Sequence, residues 1–293
     1  MNYSELLVKL AGEATSDEVL KREILREVIY KEASLLSVGT KVVPERSFDV
    51  LDVKWHYPGE LSAEYPVPEG AEVEGQVIEW NEFTMILKRA EVKVGMTDES
   101  KLRQLDNYQM EFSRRRATEA LAKAKDENIL SALKNGAGGS KTLAGGSEWD
   151  SGGGAPEDDI VDAIEYIFSN SNIMDTEIKN IAVIVPAGVW GELLKLQSIN
   201  NIQQSLKDYF EKSYGIKFYP TRYYTDEAVV LVAGSEQTAI HGVLRTNKIP
   251  LVEEERKGTA TIYTVRQYFA TAIVPDNDDG TSNRIYLINN VKS

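Results

Sequence analysis

Few side chains in this sequence have the types and spacing that enzyme chemistry requires. The chain of 293 residues contains two histidines, His56 and His241, and no cysteine, which excludes thiolate catalysis, disulfides and zinc–thiolate sites. It has no G-x-S-x-G nucleophile elbow and no H-E-x-x-H zinc motif. We interpret each histidine as a surface or strand-packing residue. The 46 acidic residues leave a carboxylate pair open as chemistry but single out no pair, so we predict no catalytic, cofactor or metal site.

Two segments partly match ligand-binding loops. The glycine-rich segment 136–154 contains Lys141-Thr142, but Ser140 stands where a phosphate-binding loop needs glycine, and a helix precedes it where a strand is needed. We predict a flexible exposed loop there. The segment 276–284, DNDDGTSNR, begins like a calcium loop, but Leu287 occupies the position of the bidentate glutamate. We interpret it as a β-turn between two strands.

The one concentrated basic patch is Arg114, Arg115 and Arg116, with Lys123 and Lys125. Three adjacent arginines spread over most of a helix's circumference, so at least one is expected to meet another element. They could pair with acids on a neighbouring subunit, lie near nucleic acid, or form a solvated face with local salt bridges. The last interpretation is favoured, and surface pairs of that kind contribute little stability.

The composition limits the partners. The net charge of −13 argues against tight non-specific binding to nucleic acid. No stretch approaches 18 consecutive apolar residues, so we predict no membrane span. The N-terminus lacks the basic segment and long apolar core of a signal peptide, which favours a cytoplasmic product.

The elements that precede the basic patch are extended or amphipathic. Residues 15–39 are predicted as a helix whose apolar stripe needs either its own core or a neighbouring chain. Residues 40–72 are predicted to be extended. Residues 73–96 are β-prone, with a hairpin bend around Trp80. An isolated two-stranded ribbon is marginal in water, so another surface must cover it.

A single helix is predicted over 98–135, ended by Gly136. Such a helix spans about 57 Å at 1.5 Å per residue, which exceeds the diameter of a compact domain of this size. It is therefore predicted to be a strut in an elongated body. After the glycine-rich segment, helices and strands alternate, with a buried strand and Pro186 leading into a helix, and a further helix over 198–215. From Thr238 onward the sequence predicts only strands and turns.

This order of elements resembles the Hong Kong-97 capsid fold, which tailed double-stranded DNA viruses and encapsulin nanocompartments share. The more specific segments are "ATEALAKAKDENILSALKNGAG" at the end of the long helix, "IAVIVPAGVWGELLKL", and the tail "AIHGVLRTNKIPLVEEERKGTATIYTVRQYFATAIV". The resemblance implies an α+β fold with an N-terminal arm, an extended β-hairpin loop, a long spine helix and an α/β axial domain.

The resemblance also implies a division of the chain and a set of contacts. The expected parts are an N-terminal arm and link (1–64), an E-loop hairpin (65–97), a peripheral domain with the spine helix (98–156), an axial domain (157–249) and returning peripheral strands (250–293). The E-loop is expected to lie over a neighbouring subunit. The expected interface residues are Trp80, Phe83, Met85, Arg114, Arg115 and Arg116.

The implied function is that of a major capsid protein, whose pentamers and hexamers form an icosahedral shell around double-stranded DNA without sequence-specific binding. Assembly is expected in the host cytoplasm, with separate portal and cement proteins as further expected partners. Only about forty residues precede Pro44, so we expect scaffolding to come from a separate protein or to be dispensable. Lys88 and Lys93 lie in the ribbon, but no asparagine lies between Pro250 and Pro275, so we predict no cross-links.

Two alternatives stay open at this point. One is an encapsulin shell that holds a cargo enzyme. The other is a soluble α/β enzyme that uses carboxylates, which predicts a monomer or a small oligomer. The tail segment and the chain length favour the viral capsid protein.

Overall fold

The structure is a computed structural model and describes residues 37–58, 80–97, 99, 106–171, 180–199, 202–247, 251–276 and 279–293. The predicted N-terminal helix lies outside these ranges up to residue 36, and its predicted end at Gly39 is wrong, because Gly39 begins a short helix. Residues 59–79 also lie outside these ranges. Within them the helices are α1 (Gly39–Val42), α2 (Asp106–Asn135), α3 (Pro156–Asn170), α4 (Trp190–Leu194) and α5 (Leu206–Tyr214), and a 3-10 turn covers Arg245–Asn247.

Most of the described chain outside the helices is β-structure. The strands are β1 (Glu45–Phe48), β2 (Asp52–Pro58), β3 (Trp80–Ile86), β4 (Lys88–Thr97), β5 (Ala137–Thr142), β6 (Ile181–Pro186), β7 (Leu196–Ile199), β8 (Ile202–Ser205), β9 (Lys217–Thr221), β10 (Ala228–Val232), β11 (Ala239–Leu244), β12 (Leu251–Lys257), β13 (Ala260–Ile273) and β14 (Ser282–Asn289). They form two five-stranded sheets, the β2–β3 ribbon and the β7–β8 hairpin. The predicted all-strand tail beyond Thr238 is confirmed, apart from the 3-10 turn.

Sheet B is the five-stranded sheet with the order β5-β14-β10-β6-β9. Its inner strands β6 and β10 are buried along their whole length, because IAVIVP and AVVLV are continuous apolar runs that need cover on both faces. One face, with Ile181, Val183 and Val185, packs against α3 and α5. The other, with Ala182 and Ile184, packs against α2. The result is a three-layer α/β/α unit.

Sheet A contains β1, β4, β11, β12 and β13. The 14-residue β13 is its longest strand, and it pairs antiparallel with β4, β11 and β12. The short strand β1 lies at an edge and pairs with β11 in parallel register, with Glu45 opposite His241. The N-terminal segment of the chain is therefore built into the same sheet as the C-terminal strands.

The long helix α2 joins the two sheets. Its 30 described residues span about 45 Å. Ala117 and Leu121, in its first half, pack against sheet A, and Leu130 and Leu133, in its second half, pack against sheet B. The predicted end of the helix before Gly136 is confirmed. Most of the predicted first turns, 98 and 100–105, lie outside the described residues.

The predicted hairpin bend around Trp80 is wrong. Residues 80–82 lie within β3, and β3 pairs with β2 in a register that places Trp80 opposite Pro58. The strand that follows Leu87, β4, joins sheet A. The prediction considered only neighbours in sequence, whereas the pairing partner of β3 lies before the undescribed residues 59–79.

The predicted glycine-rich loop is also partly wrong, because residues 137–142 form β5, which pairs in parallel with β14. Glycine permits this close packing. A Cβ on Gly139 would lie 2.5 Å from Tyr166 Cε1 and 2.6 Å from Tyr286 Cδ2. Glycine has a low strand propensity, but at this position the two tyrosine rings fill the space that a larger side chain would need.

The predicted helix over 198–215 begins later, at residue 206. Ser205 caps it by accepting a hydrogen bond from the Asp208 backbone N–H at 3.1 Å, and the left-handed Gly215 (φ 74°) ends it. Residues 196–199 and 202–205 pair as β7 and β8 instead. Among the described residues no helix is long and apolar enough to cross a membrane.

Candidate functional site

The histidines and the acidic turn are structural in the described part of the chain. His56 is exposed on β2 with Nδ1 3.9 Å from the Glu82 carboxylate, whereas His241 is buried in sheet A. The Asp276 carboxylate accepts hydrogen bonds from Ser282 Oγ (2.9 Å) and the Asn283 backbone (3.1 Å), within the connection between β13 and β14. The predicted turn is therefore confirmed. Among the described residues no cluster of His, Asp and Glu side chains could hold a metal ion.

The run of arginines forms a mixed surface. The Arg115 and Arg116 guanidinium groups both lie near the Glu119 carboxylate, at 3.4 and 3.2 Å. Lys123 is exposed beside them, but Lys125 points the other way and is fully buried. The favoured interpretation, a solvated face with local salt bridges, is confirmed for Arg115 and Arg116. The side chain of Arg114 lies outside the described part of the structure.

The β2–β3 ribbon is anchored at one end to sheet A. Val53 and Met85 are cross-strand partners, and both pack with Leu87 and Ala270 in a small apolar cluster. Gly242 permits this contact, because a Cβ on this residue would collide with Met85 Cε. Met85 therefore packs inside its own chain. Only 4% of its surface is left exposed for the predicted subunit interface.

Aromatic residues extend this inner face of the ribbon. Trp55 meets Phe48 of β1 edge-on, with ring centroids 5.9 Å apart. Further along, Tyr57 and Phe83 lie 6.1 Å apart. Phe83 is half-buried in this row. The inner face of the ribbon is thus largely covered by its own chain.

The opposite face of the ribbon is open. Side chains alternate along a strand, so Trp80, Glu82 and Ile86 share this face. Glu82 lies 3.7 Å from Lys54 Nζ and 3.9 Å from His56 Nδ1, across the ribbon. Trp80 and Ile86 flank this charged group and are 63% and 56% exposed. Large apolar side chains that are this exposed mark a surface that another molecule covers when they are contiguous.

Two further apolar residues adjoin Ile86. Leu51 accepts a backbone hydrogen bond from Leu87 at 2.9 Å, which places the turn before β2 beside the end of β3. Val50 and Leu51 are 57% and 44% exposed. We call Val50, Leu51 and Ile86, together with Trp80 about 20 Å away at the other end of β3, the ribbon patch. Of these residues only Trp80 was predicted from the sequence, because an apolar pair between Asp49 and Asp52 gives no periodic signal.

Smaller exposed apolar groups lie around sheet B. Val161 and Phe168 are seven residues apart on α3, which places them on one face of that helix. Leu194 at the end of α4 and Tyr214 at the end of α5 are also exposed. The described surface therefore carries several separate groups of exposed apolar side chains.

Comparison with known proteins places the chain among shell-forming proteins. A family model described as phage capsid protein matches residues 86–281, which is two thirds of the chain. A search of curated protein sequences found no match. The matched region includes β4, α2, most of sheet A, and all of sheet B except β14.

Solved structures share the fold at low sequence identity. A virus-like particle from Pyrococcus furiosus matches with a TM-score of 0.63 and 13% identity, over 93% of this chain and 100% of that one. A protein of Mycobacterium phage Che8 matches with a TM-score of 0.59 and 14% identity, over 88% and 92%. The capsid of the Myoviridae phage XM1 matches with a TM-score of 0.56 and 14% identity, over 86% and 90%. The predicted α+β Hong Kong-97 capsid fold is confirmed.

Proposed function

The chain belongs to the phage capsid protein family, and we propose that it is a major capsid protein whose copies assemble into an icosahedral shell around double-stranded DNA. The observation that carries this proposal is the family match over residues 86–281, because it includes the long helix and both units that the helix joins. We expect the protein in the virion, as pentamers and hexamers of the shell, without sequence-specific contacts to DNA.

The ribbon supports this function because its outer face lacks cover within the described chain. Burying an apolar side chain such as Trp80 or Ile86 contributes about 1.5–3 kcal/mol at each site. In a closed shell the same contact recurs in every copy, so a modest contact becomes a large total. We propose that the ribbon patch is covered by a neighbouring copy. We propose that Trp80 contacts the neighbouring copy through the outer face, and Phe83 through the exposed part of its ring. The exposed Arg115 and Arg116 side chains stay proposed interface residues as well.

The proposed domain division changes the expected one at several points, because β5 and β14, expected in the peripheral domain, lie in sheet B, and β11, expected in the axial domain, lies in sheet A. The E-loop would comprise β2, residues 59–79 and β3, so that it begins at residue 52 and ends at residue 86. The long helix with sheet A would form the peripheral domain, and sheet B with α3, α4 and α5 the axial domain. Scaffolding, portal and cement proteins would be separate partners.

A structural role follows from the family, and the exposed surface fits it. In the described chain the buried polar groups join elements to one another instead of lining a cleft. A carboxylate enzyme would act as a monomer or small oligomer, and this distinguishes it from a shell protein.

The experiment is to express the chain, once alone and once with any scaffolding protein that an adjacent gene encodes. Light scattering and negative-stain electron microscopy then measure the size and shape of the product. Closed particles of uniform diameter and megadalton mass are expected. A monodisperse species of fewer than about six copies, in both preparations, would contradict the proposal.

The contents of the particle decide between the viral shell and a cargo shell. The second candidate is a nanocompartment around a protein, and the fold is also that of a protein that forms a virus-like particle in Pyrococcus furiosus. Particles isolated from the natural source should contain nuclease-protected double-stranded DNA of defined length. Particles that contain a co-purifying enzyme and no protected DNA would support the second candidate instead.

A further inference from the structure

A band of buried polar residues crosses the long helix between its two apolar contact zones. Lys125 lies in the middle of this band and has no solvent exposure. Its Nζ is 3.6 Å from the Glu45 carboxylate of β1. One turn further on, Asn128 joins a hydrogen-bonded chain with Thr271 of β13. The helix therefore meets sheets A and B through apolar side chains, and meets the edge strand β1 through a charge pair.

The hydrogen-bonded chain fixes the state of His241. Thr271 Oγ1 donates to Asn128 Oδ1 at 2.8 Å, so the same hydroxyl must accept from His241 Nδ1, which lies 2.9 Å away. The imidazole therefore carries its proton on Nδ1. Its Nε2 is buried and has no hydrogen-bond partner. In the neutral ring this leaves the lone pair of Nε2 without a donor, close to the Lys125–Glu45 pair.

The groups around His241 carry one positive charge, on Lys125, and one negative charge, on Glu45. From α2 it faces the positive Lys125, and from β1 its cross-strand neighbour is Glu45, which the lysine pairs. From β13 it faces Thr271 and the Phe269 ring, 5.5 Å between centroids, and neither carries charge. Burial, and then the charge of Lys125, lower the pKa of His241 to about 3. Protonation would place two positive charges in one buried site.

The segment that closes this site is short and is held at two adjacent helix positions. Residues 37–48 form a strap across the joint between the two sheets. At one end the Asp126 carboxylate accepts from Ser37 Oγ at 2.6 Å and from the Gly39 backbone at 2.7 Å. At the other end Lys125 holds Glu45. β1 is a four-residue strand at the edge of sheet A, held also by the ion pair of Arg46 with Glu236, and its release leaves the other strands of the sheet paired.

We propose that His241, Lys125 and Glu45 form an acid-sensitive latch, in which protonation of His241 releases the strap, residues 37–48, from the long helix. The added charge sits directly behind β1, and detaching β1 is the smallest movement that lets water reach both cations. The strap leads through Asp49–Leu51 into β2, so its release also loosens the start of the ribbon, which Val53, Met85 and Leu87 still hold to sheet A. The effect on assembly rests on the proposed function, whereas the latch itself does not.

The sign of the pH dependence follows from the two states of His241. In the closed state the ring stays neutral, and in the open state it regains an ordinary pKa near 6.5. The open state therefore binds more protons below that pH, and opening becomes more favourable as the pH falls. At pH 5 the opening equilibrium is expected to rise about 30-fold over pH 7.5. Most carboxylates do not titrate in this window.

Hydrogen–deuterium exchange with mass spectrometry tests the latch on the full chain in its natural oligomeric state. After correction for intrinsic exchange rates, peptides within 39–48 should exchange about 30-fold faster at pH 5 than at pH 7.5. Peptides from β6 should remain better protected than the strap at both pH values. An unchanged rate in the strap, or equal protection of strap and β6 at pH 5, would overturn the proposal.

The two histidines of the chain supply a matched pair of variants. His241→Asn retains a donor near the position of Nδ1 but cannot titrate, so its strap should show no acceleration between pH 7.5 and 5. His56→Gln removes the exposed histidine and should keep the full acceleration. If His241→Asn does not fold, His241→Gln takes its place. A pH response that survives in the His241 variant, or is lost in His56→Gln, would contradict the latch.

The latch and the proposed function can fail independently of each other. Shells in which the strap is insensitive to pH would contradict the latch and leave the capsid assignment intact. A pH-sensitive strap in a chain that forms no particles would support the latch and contradict the capsid assignment.

Discussion

At the scale of single residues, lysine and arginine on the long helix have opposite situations. Arg116 is exposed and shares the Glu119 carboxylate with Arg115, whereas Lys125 is enclosed between the helix and sheet A. The spacing of Lys125 from the buried residues of the helix predicts this difference. Lys125 lies four residues after Leu121 and four before Ile129, which are both buried, so it falls within the apolar stripe. A lysine within such a stripe indicates either that the buried face of the helix has been assigned wrongly or that the lysine is buried and paired with an acidic side chain.

Substitutions at these two positions should therefore differ strongly. Lys125→Ala removes a large buried side chain and leaves Glu45 without its cation, so the free energy of unfolding should fall by about 3 kcal/mol. Arg116→Ala should change it by less than about 0.5 kcal/mol, because its ion pair is solvated and Arg115 remains. Urea denaturation of the dissociated subunit measures both. Equal changes in the free energy of unfolding would mean that the buried Lys125–Glu45 pair stabilises the subunit no more than an exposed ion pair does.

At the scale of elements, the sequence predicted those whose pattern is local. The apolar runs of β6 and β10 and the stop of α2 at Gly136 were all recognisable, since burial on two faces and a helix-ending glycine leave direct marks. The pairing of β2 with β3 was not, because 21 residues separate the strands and either could pair elsewhere. The strand β5 was missed because its composition, AGGSKT, is typical of a loop.

The glycine in β5 provides a test of that explanation. Gly139→Ala would push a methyl group into Tyr166 and Tyr286, and should lower the free energy of unfolding by about 1–3 kcal/mol. Gly145→Ala is the matched control, since no atom lies within 4 Å of a Cβ at that position and its stability should be nearly unchanged. Thermal unfolding of the two variants compares them directly. A tolerated Gly139→Ala would contradict the close packing of β5 beneath the tyrosines.

At the scale of the whole molecule, the Hong Kong-97 resemblance predicted more than any single motif did, because the order of elements is informative where individual residues are not. The candidate site was only partly predictable. Trp80 was recognised as an exposed aromatic of the ribbon, whereas Val50, Leu51 and Ile86 become a patch only through the backbone contact between Leu51 and Leu87. A surface of this kind depends on tertiary pairing, which a linear pattern does not contain.

The ribbon patch should affect assembly far more than folding. The double substitution Trp80→Ser with Ile86→Ser removes two exposed apolar side chains, so subunit stability should change by less than about 0.5 kcal/mol. Particle yield should fall at least about tenfold if each lost contact contributes even 1.4 kcal/mol to subunit association. Thr84→Ser, on the same face, is the control and should leave the yield unchanged. Sedimentation measures the fraction of subunits in particles, and normal yield from the double variant would remove the patch from the interface.

The position of β14 within sheet B has a consequence for synthesis. This strand lies between β5 and β10, so the sheet stays divided until the ribosome has delivered residue 289. A nascent chain that stops short of that point leaves one edge of β10 unpaired and lacks the apolar side chains of Ile285 and Ile288 in the core on either side of the sheet. Chains of that length therefore have no complete sheet B from which a shell contact could be built.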